Sequence, residues 1–190
     1  MYMALYGGIY VDIDFVAVRS FDQLLQLQGP DANVFLGQDC GLQVDWSKPM
    51  RKQKCPDYAQ SLPNAFLAST AGHPFWHHVI VQILREAWAS GSSSTDWNGA
   101  IYITGPVPLF RAVSQYNQYA FDNGLQSDIH VLTDEVYPLS WTQFSPWTEK
   151  TVDIGCCFLW DSHKFNVDCC REQYPNAIVM TFWTALWHET

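Results

Sequence analysis

Two aspartates, Asp12 and Asp14, are the residues whose type and spacing most directly suggest chemistry. They lie in GGIYVDIDFV, residues 7–16, whose apolar alternation predicts a β-strand over residues 9–15. Because successive side chains of a strand point to opposite faces, Tyr10, Asp12 and Asp14 would share one face. The two carboxylates would then lie about 6–7 Å apart and repel each other. A hydrated strand end, a Lys or Arg partner, or a bound cation could each relieve that repulsion.

Cysteines form a second group. Of the six in the chain, four lie in two vicinal pairs, Cys156-Cys157 and Cys169-Cys170. A structural zinc site, which would make the C-terminal part a separate module, normally uses Cys-x-x-Cys spacing, because adjacent side chains rarely reach one ion together. Disulfides across a hairpin or loop fit the adjacent pairs better and imply an oxidising lumen. Four cysteines allow three pairings, among which the sequence does not choose.

The charge of the chain excludes one class of partner. Its 10 Lys and Arg residues against 19 Asp and Glu residues give a net charge of −9, which argues against a nucleic-acid-binding surface. Four of the basic residues lie in SKPMRKQK, residues 47–54, between Cys40 and Cys55, which could form a bridge. This segment is either a solvated loop or a loop that contacts substrate phosphates or an anionic membrane surface.

Periodicity and turn residues predict the elements that must position these groups. They predict helices over residues 2–6, 21–27, 73–89 and 106–121. They predict strands over residues 9–15, 33–37, 64–70, 129–137 and 177–183. The helix at 73–89 carries an apolar stripe of Trp76, Ile80, Ile83, Leu84 and Ala87, and residues 90–99 are expected to be a flexible link. This alternation predicts a layered α/β domain. No run of about 18 apolar residues occurs, so we expect no transmembrane helix in these residues, and MYMALYGG lacks the basic region that precedes the apolar stretch of a secretory signal.

Five phrases along the chain form an ordered set of motifs. They are ALYGGIYVDID at 4–14, PNAFLASTAGHPFW at 63–76, TGPVPLFRAV at 104–113, VYPLSW at 136–141 and FWTALW at 182–187. Together they resemble glycosyltransferase family 32, the sugar-binding region with the Asp-x-Asp motif, which includes α-1,6-mannosyltransferases and inositol-phosphoceramide mannosyltransferases. A lone Asp-x-Asp is a weak signal, but here four companions follow it in the family's order. The resemblance spans nearly the whole chain.

The resemblance implies a single domain, residues 1–190, with a GT-A-like α/β fold. It implies a metal-dependent retaining transferase that moves a hexose, with mannose favoured, from a GDP- or UDP-sugar to a glycan or glycolipid acceptor. The implied cofactor is Mn²⁺ or Mg²⁺, since hard cations prefer carboxylate oxygens and can neutralise a leaving diphosphate. The implied location is the Golgi or another secretory-pathway lumen, with membrane association of the full-length protein.

The position of the acidic motif departs from the family pattern. Asp12 stands near the start of the chain, whereas the family's nucleotide-binding half precedes the motif. We therefore expect an N-terminally truncated domain that lacks this half. The alternative function is a catalytically inactive remnant that binds a carbohydrate or a partner.

The resemblance also assigns individual residues. It makes Asp12 and Asp14 both catalytic and metal-binding. It assigns substrate binding to Gly7, Gly8, Tyr10, Asn64, Thr104, Gly105, Pro106 and Trp187. Each of these has a simpler structural interpretation: packing for Tyr10, turn geometry for the glycines, a turn cap for Asn64, and a helix start for residues 104–106.

Some of the histidines are candidate metal ligands. The family's metal-proximal histidine corresponds to Ala185 here, and a small shift would let His188 serve as the metal ligand instead. The histidines at the start of the 73–89 helix, His73, His77 and His78, are interpreted as surface or core-edge residues. His163, between the cysteine pairs, is a ligand only if a zinc site exists.

Overall fold

The structure is a computed structural model that describes residues 2–27, 33–38, 62–89, 100–138, 156–159 and 164–181. Several predictions from the sequence lie outside these residues. They are the basic segment at 47–54, the Cys40–Cys55 bridge, the link at 90–99, His163, Trp187 and His188.

The described residues alternate between short strands and helices. The helices are α1 (Tyr2–Tyr6), α2 (Asp22–Leu27), α3 (Phe75–Ala89), α4 (Pro106–Asp122) and α5 (Val167–Gln173), with a π-helical turn at Ala100–Thr104. The strands are β1 (Gly8–Val11), β2 (Phe15–Ala17), β3 (Val34–Gly37), β4 (Phe66–Ser69), β5 (Ile129–Leu132), β6 (Phe158–Leu159), β7 (Lys164–Phe165) and β8 (Val179–Thr181). This is a mixed α/β architecture, and it confirms the predicted general class.

The largest sheet has four strands in the order β1-β4-β3-β5. β4 runs antiparallel to both β1 and β3, whereas β3 and β5 are parallel. β2 pairs with β8, and β6 pairs with β7, each pair antiparallel. β1 therefore lies at one edge of the mixed sheet, with Ile9 and Tyr10 nearly half exposed (46% and 45%).

The core lies on both faces of the four-stranded sheet. On one face, α3 and α4 pack through Phe75, Val79 and Leu109 against the strand residues Val34 and Leu36. On the other face, α2 and the region of β8 cover the sheet through a second cluster, Leu24, Phe35, Phe66, Leu132 and Ile178. The helices thus bury one apolar side each, as amphipathic sequences require.

The predicted helices at 2–6 and 106–121 are confirmed, and those at 21–27 and 73–89 begin one and two residues later. The predicted apolar stripe of α3 is partly wrong. Its buried residues are Phe75, Trp76, Val79 and Gln82, whereas Leu84 is 63% exposed. The buried face lies one position away from the prediction, since Phe75, Trp76 and Val79 pack in the core. Gln82 is also buried there, and it donates a 2.6 Å hydrogen bond to Gln115 of α4.

The predicted strand over residues 9–15 is wrong beyond Val11. The Phe15 amide donates to the Asp12 carbonyl (3.2 Å), which closes a turn, and Phe15 then starts β2 in a different sheet. β1 ends there because its partner β4 begins only at Phe66, so pairing stops after the Asp12 amide bonds to the Ala65 carbonyl at 2.9 Å. Ile13, which strand alternation would place on the face opposite the acids, is fully exposed at the tip of the turn.

The strands predicted over 33–37, 64–70 and 129–137 are confirmed at shorter lengths, and that predicted over 177–183 is confirmed from Val179 to Thr181, with residues 182 and 183 outside the described part of the chain. The strand predicted over 129–137 ends at Leu132, because the amides of Val136 and Tyr137 turn back to the Thr133 carbonyl. Asn64 and Ala65 likewise form a turn before β4.

Candidate functional site

The two aspartates lie in the turn between β1 and β2. Tyr10 donates a 2.6 Å hydrogen bond to Asp12 Oδ1, so the predicted shared side of Tyr10 and Asp12 is confirmed. Thr181 of β8 donates a 3.2 Å hydrogen bond to Asp14 Oδ2. The prediction that Asp14 shares this side is wrong, because the chain turns after Val11: Asp14 is directed toward the β2-β8 pair, while Asp12 stays with Tyr10 of the mixed sheet.

The electrostatics of the turn reveal that the two acids interact. Partial burial raises the pKa of the Asp14 carboxyl, the hydrogen bond from Thr181 opposes this, and the charge of Asp12 adds to the rise. The pKa of Tyr10 is raised to about 12 by its hydrogen bond to Asp12, by burial and by the charges of both acids. The turn thus concentrates negative potential that a cation would relieve.

The donor set of this turn fits a hard divalent ion only in part. Two carboxylates supply the oxygen ligands that Mn²⁺ and Mg²⁺ prefer, and such ions commonly keep waters or substrate phosphates as further ligands. Across the described residues, no group of three or more potential metal-ligating side chains occurs. A complete protein-only cage is therefore not built from these residues, whereas a site completed by a diphosphate remains compatible with them.

Gly7 and Gly8 connect α1 to β1 and both have positive φ, 63° and 103°. The Gly7 amide donates to the Met3 carbonyl (3.0 Å), which ends the helix. A Cβ at Gly7 would lie 2.5 Å from the Ser69 carbonyl oxygen, so only glycine fits there. The backbone role predicted for both residues is confirmed.

Asn64, Thr104 and Gly105 lie around one cavity of about 170 Å³. Asn64 and Thr104 are exposed and Gly105 is buried. Gly105 is the N-cap residue of α4 without a side-chain cap, and the first turn of α4 contains Pro106, as the helix-start interpretation predicted. Three of the predicted substrate-binding residues are therefore brought together, although they are far apart in sequence.

The cavity lies on the same face of the sheet as Asp12. Leu67 lines the cavity and is the direct antiparallel partner of Tyr10, so their side chains share one face. Asp12 lies on that side through its bond to Tyr10, and its own amide is bonded to Ala65, the neighbour of Asn64. Asp12 and the cavity thus lie on the same side of the sheet.

A polar cluster around Asp128 was missed by sequence reasoning. Asp128 accepts hydrogen bonds from His73 Nε2 (2.8 Å), Asn33 Nδ2 (3.0 Å) and Tyr116 Oη (2.9 Å). The Phe75 amide donates to His73 Nδ1 (3.2 Å), so a neutral imidazole with its proton on Nε2 satisfies both ring nitrogens. The partners are 12 to 95 residues from Asp128, so no local spacing could have revealed them.

This cluster corrects the interpretation of His73. The His73 side chain is buried and hydrogen-bonded to Asp128, and this bond joins the start of α3 to the start of β5. Burial opposes ionisation of Asp128, but the hydrogen bonds from His73, Asn33 and Tyr116 outweigh it and hold the pKa of Asp128 below its ordinary value. His77 is exposed and His78 is partly buried, as predicted.

The cysteine pairs form two disulfides, Cys156–Cys169 and Cys157–Cys170. The disulfide interpretation is confirmed and the zinc alternative is wrong for these four residues. Cys157 and Cys170 are fully buried beside Val18 and Met180, so the inner disulfide is part of a small core that joins α5 to the loop before β6.

Comparisons with protein-family models, curated proteins and solved structures gave no match. Among the described helices, none combines the length and apolar character that crossing a membrane requires.

Proposed function

We propose that the chain is a GT-A-like, metal-dependent retaining glycosyltransferase domain that takes a hexose from a GDP- or UDP-sugar. The observation that carries the proposal is that Asp12 and Asp14 lie in one turn, where burial raises the pKa of Asp14, the charge of Asp12 raises it further, and both charges act on Tyr10. A cation bound at this turn would offset the negative charge. The ordered motifs that resemble glycosyltransferase family 32 support a divalent ion and a nucleotide sugar as its ligands.

Asp12 and Asp14 would hold Mn²⁺ or Mg²⁺. The ion supplies positive charge that offsets the charge developing on the diphosphate as it leaves. Tyr10 bonds one oxygen of Asp12 and so fixes the orientation of its other oxygen. Thr181 does the same for Asp14. These two hydroxyls preorganise the acidic pair before ligand binding, which lowers the cost of ordering it.

The acceptor substrate would bind in the neighbouring cavity. Asn64 and Thr104 present amide and hydroxyl groups at its exposed border, where a sugar hydroxyl would be held. No described residue is assigned as a nucleophile. The acceptor would instead attack on the face of the donor sugar from which the phosphate leaves, and that phosphate would take the acceptor proton. The proposed location is a secretory-pathway lumen, which the two disulfides favour because such bonds persist in oxidising compartments.

The activity is tested by donor hydrolysis and transfer. GDP-mannose and UDP-glucose are incubated with the protein and Mn²⁺, and release of GDP or UDP is measured. We expect release with one of the donors and its loss in Asp14→Asn, whereas Asp134→Asn, an exposed acid in the turn after β5, remains active. If neither donor is hydrolysed but Mn²⁺ and donor still bind at the acidic turn, the chain is a non-catalytic binding module.

A further inference from the structure

The backbone of β1 forms an open edge of the four-stranded sheet. In the order β1-β4-β3-β5, β1 pairs with β4 on one side and with none of the described strands on the other. The Asp12 amide donates to the Ala65 carbonyl at 2.9 Å, and these two residues continue the register of β1 with β4. Because bonded and non-bonded pairs alternate along an antiparallel ladder, Ile9 and Val11 direct their N–H and C=O groups away from β4.

The bonds on the other side of β4 agree with this orientation. The Thr70 amide donates to the Asn33 carbonyl at 2.9 Å, so alternate residues of β4 bond β3 and the residues between them bond β1. Among the described residues, none bonds the backbone of Ile9 or Val11 across the open edge. The N–H and C=O groups of both residues are therefore available to a ligand at the fixed spacing of a strand.

The side chains along this edge are apolar and accessible. Ile9 and Tyr10 are each nearly half exposed, and they lie on opposite faces of the sheet. A row of unpaired backbone groups flanked by such side chains is the surface to which another extended chain adds as a strand. The main-chain bonds then supply affinity, and the alternating side chains supply specificity. The chemistry of the edge thus selects an extended peptide.

The charge along the edge decides which peptide fits. Over residues 2–14 the charged side chains are Asp12 and Asp14, both just beyond the carboxyl end of β1, and β4 carries none. A Lys or Arg placed opposite Asp12 in an added strand would form an opposite-charge pair with it. A second copy of this chain would not supply that cation, because β1 is uncharged and each copy carries a net charge of −9. Charge complementarity therefore favours a basic segment of a different protein.

We propose that β1 is a docking edge for an extended segment of a partner protein, with a Lys or Arg opposite Asp12 and apolar residues opposite Ile9 and Val11. The segment runs antiparallel to β1 and exchanges backbone hydrogen bonds with Ile9 and Val11. Its basic side chain offsets the charge of Asp12. This docking goes beyond the proposed transferase activity and needs neither a metal nor a nucleotide sugar. Where both activities hold, Mn²⁺ and the segment compete for Asp12.

The test uses the peptide acetyl-Thr-Lys-Val-Thr-Val-Thr-amide, whose lysine faces Asp12 when its two valines face Val11 and Ile9. Binding to the full chain is followed by nuclear magnetic resonance in metal-free buffer, and amide hydrogen exchange is measured with and without the peptide. We expect exchange of the Ile9 and Val11 amides to slow at least about tenfold in the complex. The Tyr10 amide faces β4, so it is slow already in the free protein and serves as the internal reference.

Two controls separate strand pairing from charge attraction. N-methylation of both valines removes the donors that would reach β1 but keeps the lysine, and it should weaken binding at least about tenfold. On the protein, Asp12→Asn should weaken binding of the unmodified peptide. Asp134→Asn, which changes an exposed acid in the turn after β5, should leave that binding as it is.

Equal binding of the N-methylated peptide would overturn this proposal, because the attraction would then not involve the backbone edge. Unchanged exchange of the Ile9 and Val11 amides in the wild-type complex would also overturn it, and neither measurement depends on a variant folding. If sedimentation shows that the chain dimerises with these amides protected, the occupant is a second copy and the proposal is wrong. Failure of peptide binding, with Mn²⁺ binding intact at Asp12 and Asp14, would leave the proposed function standing.

Discussion

Tyr10 and Asp12 are joined by a 2.6 Å hydrogen bond across the end of β1, and this bond links the sheet to the acidic turn. The same tyrosine is paired in register with Leu67, which lines the apolar cavity. Tyr10 therefore connects the acidic turn to the strand pair in which Leu67 lines the cavity.

Replacing Tyr10 with phenylalanine should weaken Mn²⁺ binding without abolishing it. The hydroxyl fixes Asp12, and hydrogen bonds of this kind contribute about 0.5–1.5 kcal/mol, which corresponds to about two- to tenfold in affinity. Calorimetric titration measures the difference. The control is Tyr102→Phe, which changes an exposed tyrosine in the π-helical turn. An unchanged Mn²⁺ affinity in Tyr10→Phe would show that Tyr10 is not part of the metal site.

Replacing Asp14 with asparagine should stabilise the metal-free protein at neutral pH. Because the folded state raises the pKa of Asp14, it binds protons more readily than the unfolded chain, and stability falls as pH rises through that range. The variant lacks this loss of stability, so we expect its Tm at neutral pH to exceed that of the wild type. Thermal unfolding at a series of pH values measures it. A lower Tm for the variant at neutral pH would contradict the account.

The cluster around Asp128 should stabilise the fold in the opposite pH direction. The folded state lowers the pKa of Asp128, so ionised Asp128 stabilises the fold. This stabilisation is present above the ordinary aspartate pKa of about 3.9, and it is lost as pH falls through the lower pKa of the folded state. In Asp128→Asn the amide oxygen can keep the bonds from His73 and Asn33, but the N–H₂ group faces the Tyr116 hydroxyl and the carboxylate charge is lost, at a cost of about 2 kcal/mol. Urea unfolding at neutral and acidic pH measures both effects. A variant as stable as the wild type at neutral pH would show that the cluster is incidental.

The inner disulfide should contribute more to stability than the outer one. Cys157 and Cys170 are buried in the small core with Met180, whereas Cys156 is exposed. Replacing both Cys157 and Cys170 with alanine should cost about 2–5 kcal/mol. The double variant of Cys156 and Cys169 is the matched control, and urea unfolding compares the two. Equal losses would mean that burial of the inner bridge adds nothing.

Local signals in the sequence were sufficient for most elements. The period of α4 and its Pro106 predicted that helix, and the Gly7-Gly8 pair predicted the end of α1, because these features act over neighbouring residues. The vicinal cysteines predicted disulfides, although the pairing came only from the structure. The general α/β class followed from the alternation of strands and helices.

Features that depend on distant partners could not be predicted. Alternation continued through Ile13, but the strand stopped because β4 offered no partner beyond Phe66. His73 met Asp128 across 55 residues, and Asn64 met Thr104 at one cavity only through the packing of β4, α3 and the π-helical turn. Tertiary pairing decides such contacts, and the sequence period carries no information about it.

The most direct test of the central claim is calorimetric titration of the full chain with Mn²⁺, in the presence and absence of GDP and UDP. We expect saturable binding that GDP or UDP strengthens, and a loss of at least about tenfold in both Asp12→Asn and Asp14→Asn. Asp134→Asn, an exposed acid in another turn, should bind as the wild type does. Unchanged Mn²⁺ affinity in the two site variants would contradict the assignment of the acidic turn as a metal and diphosphate site.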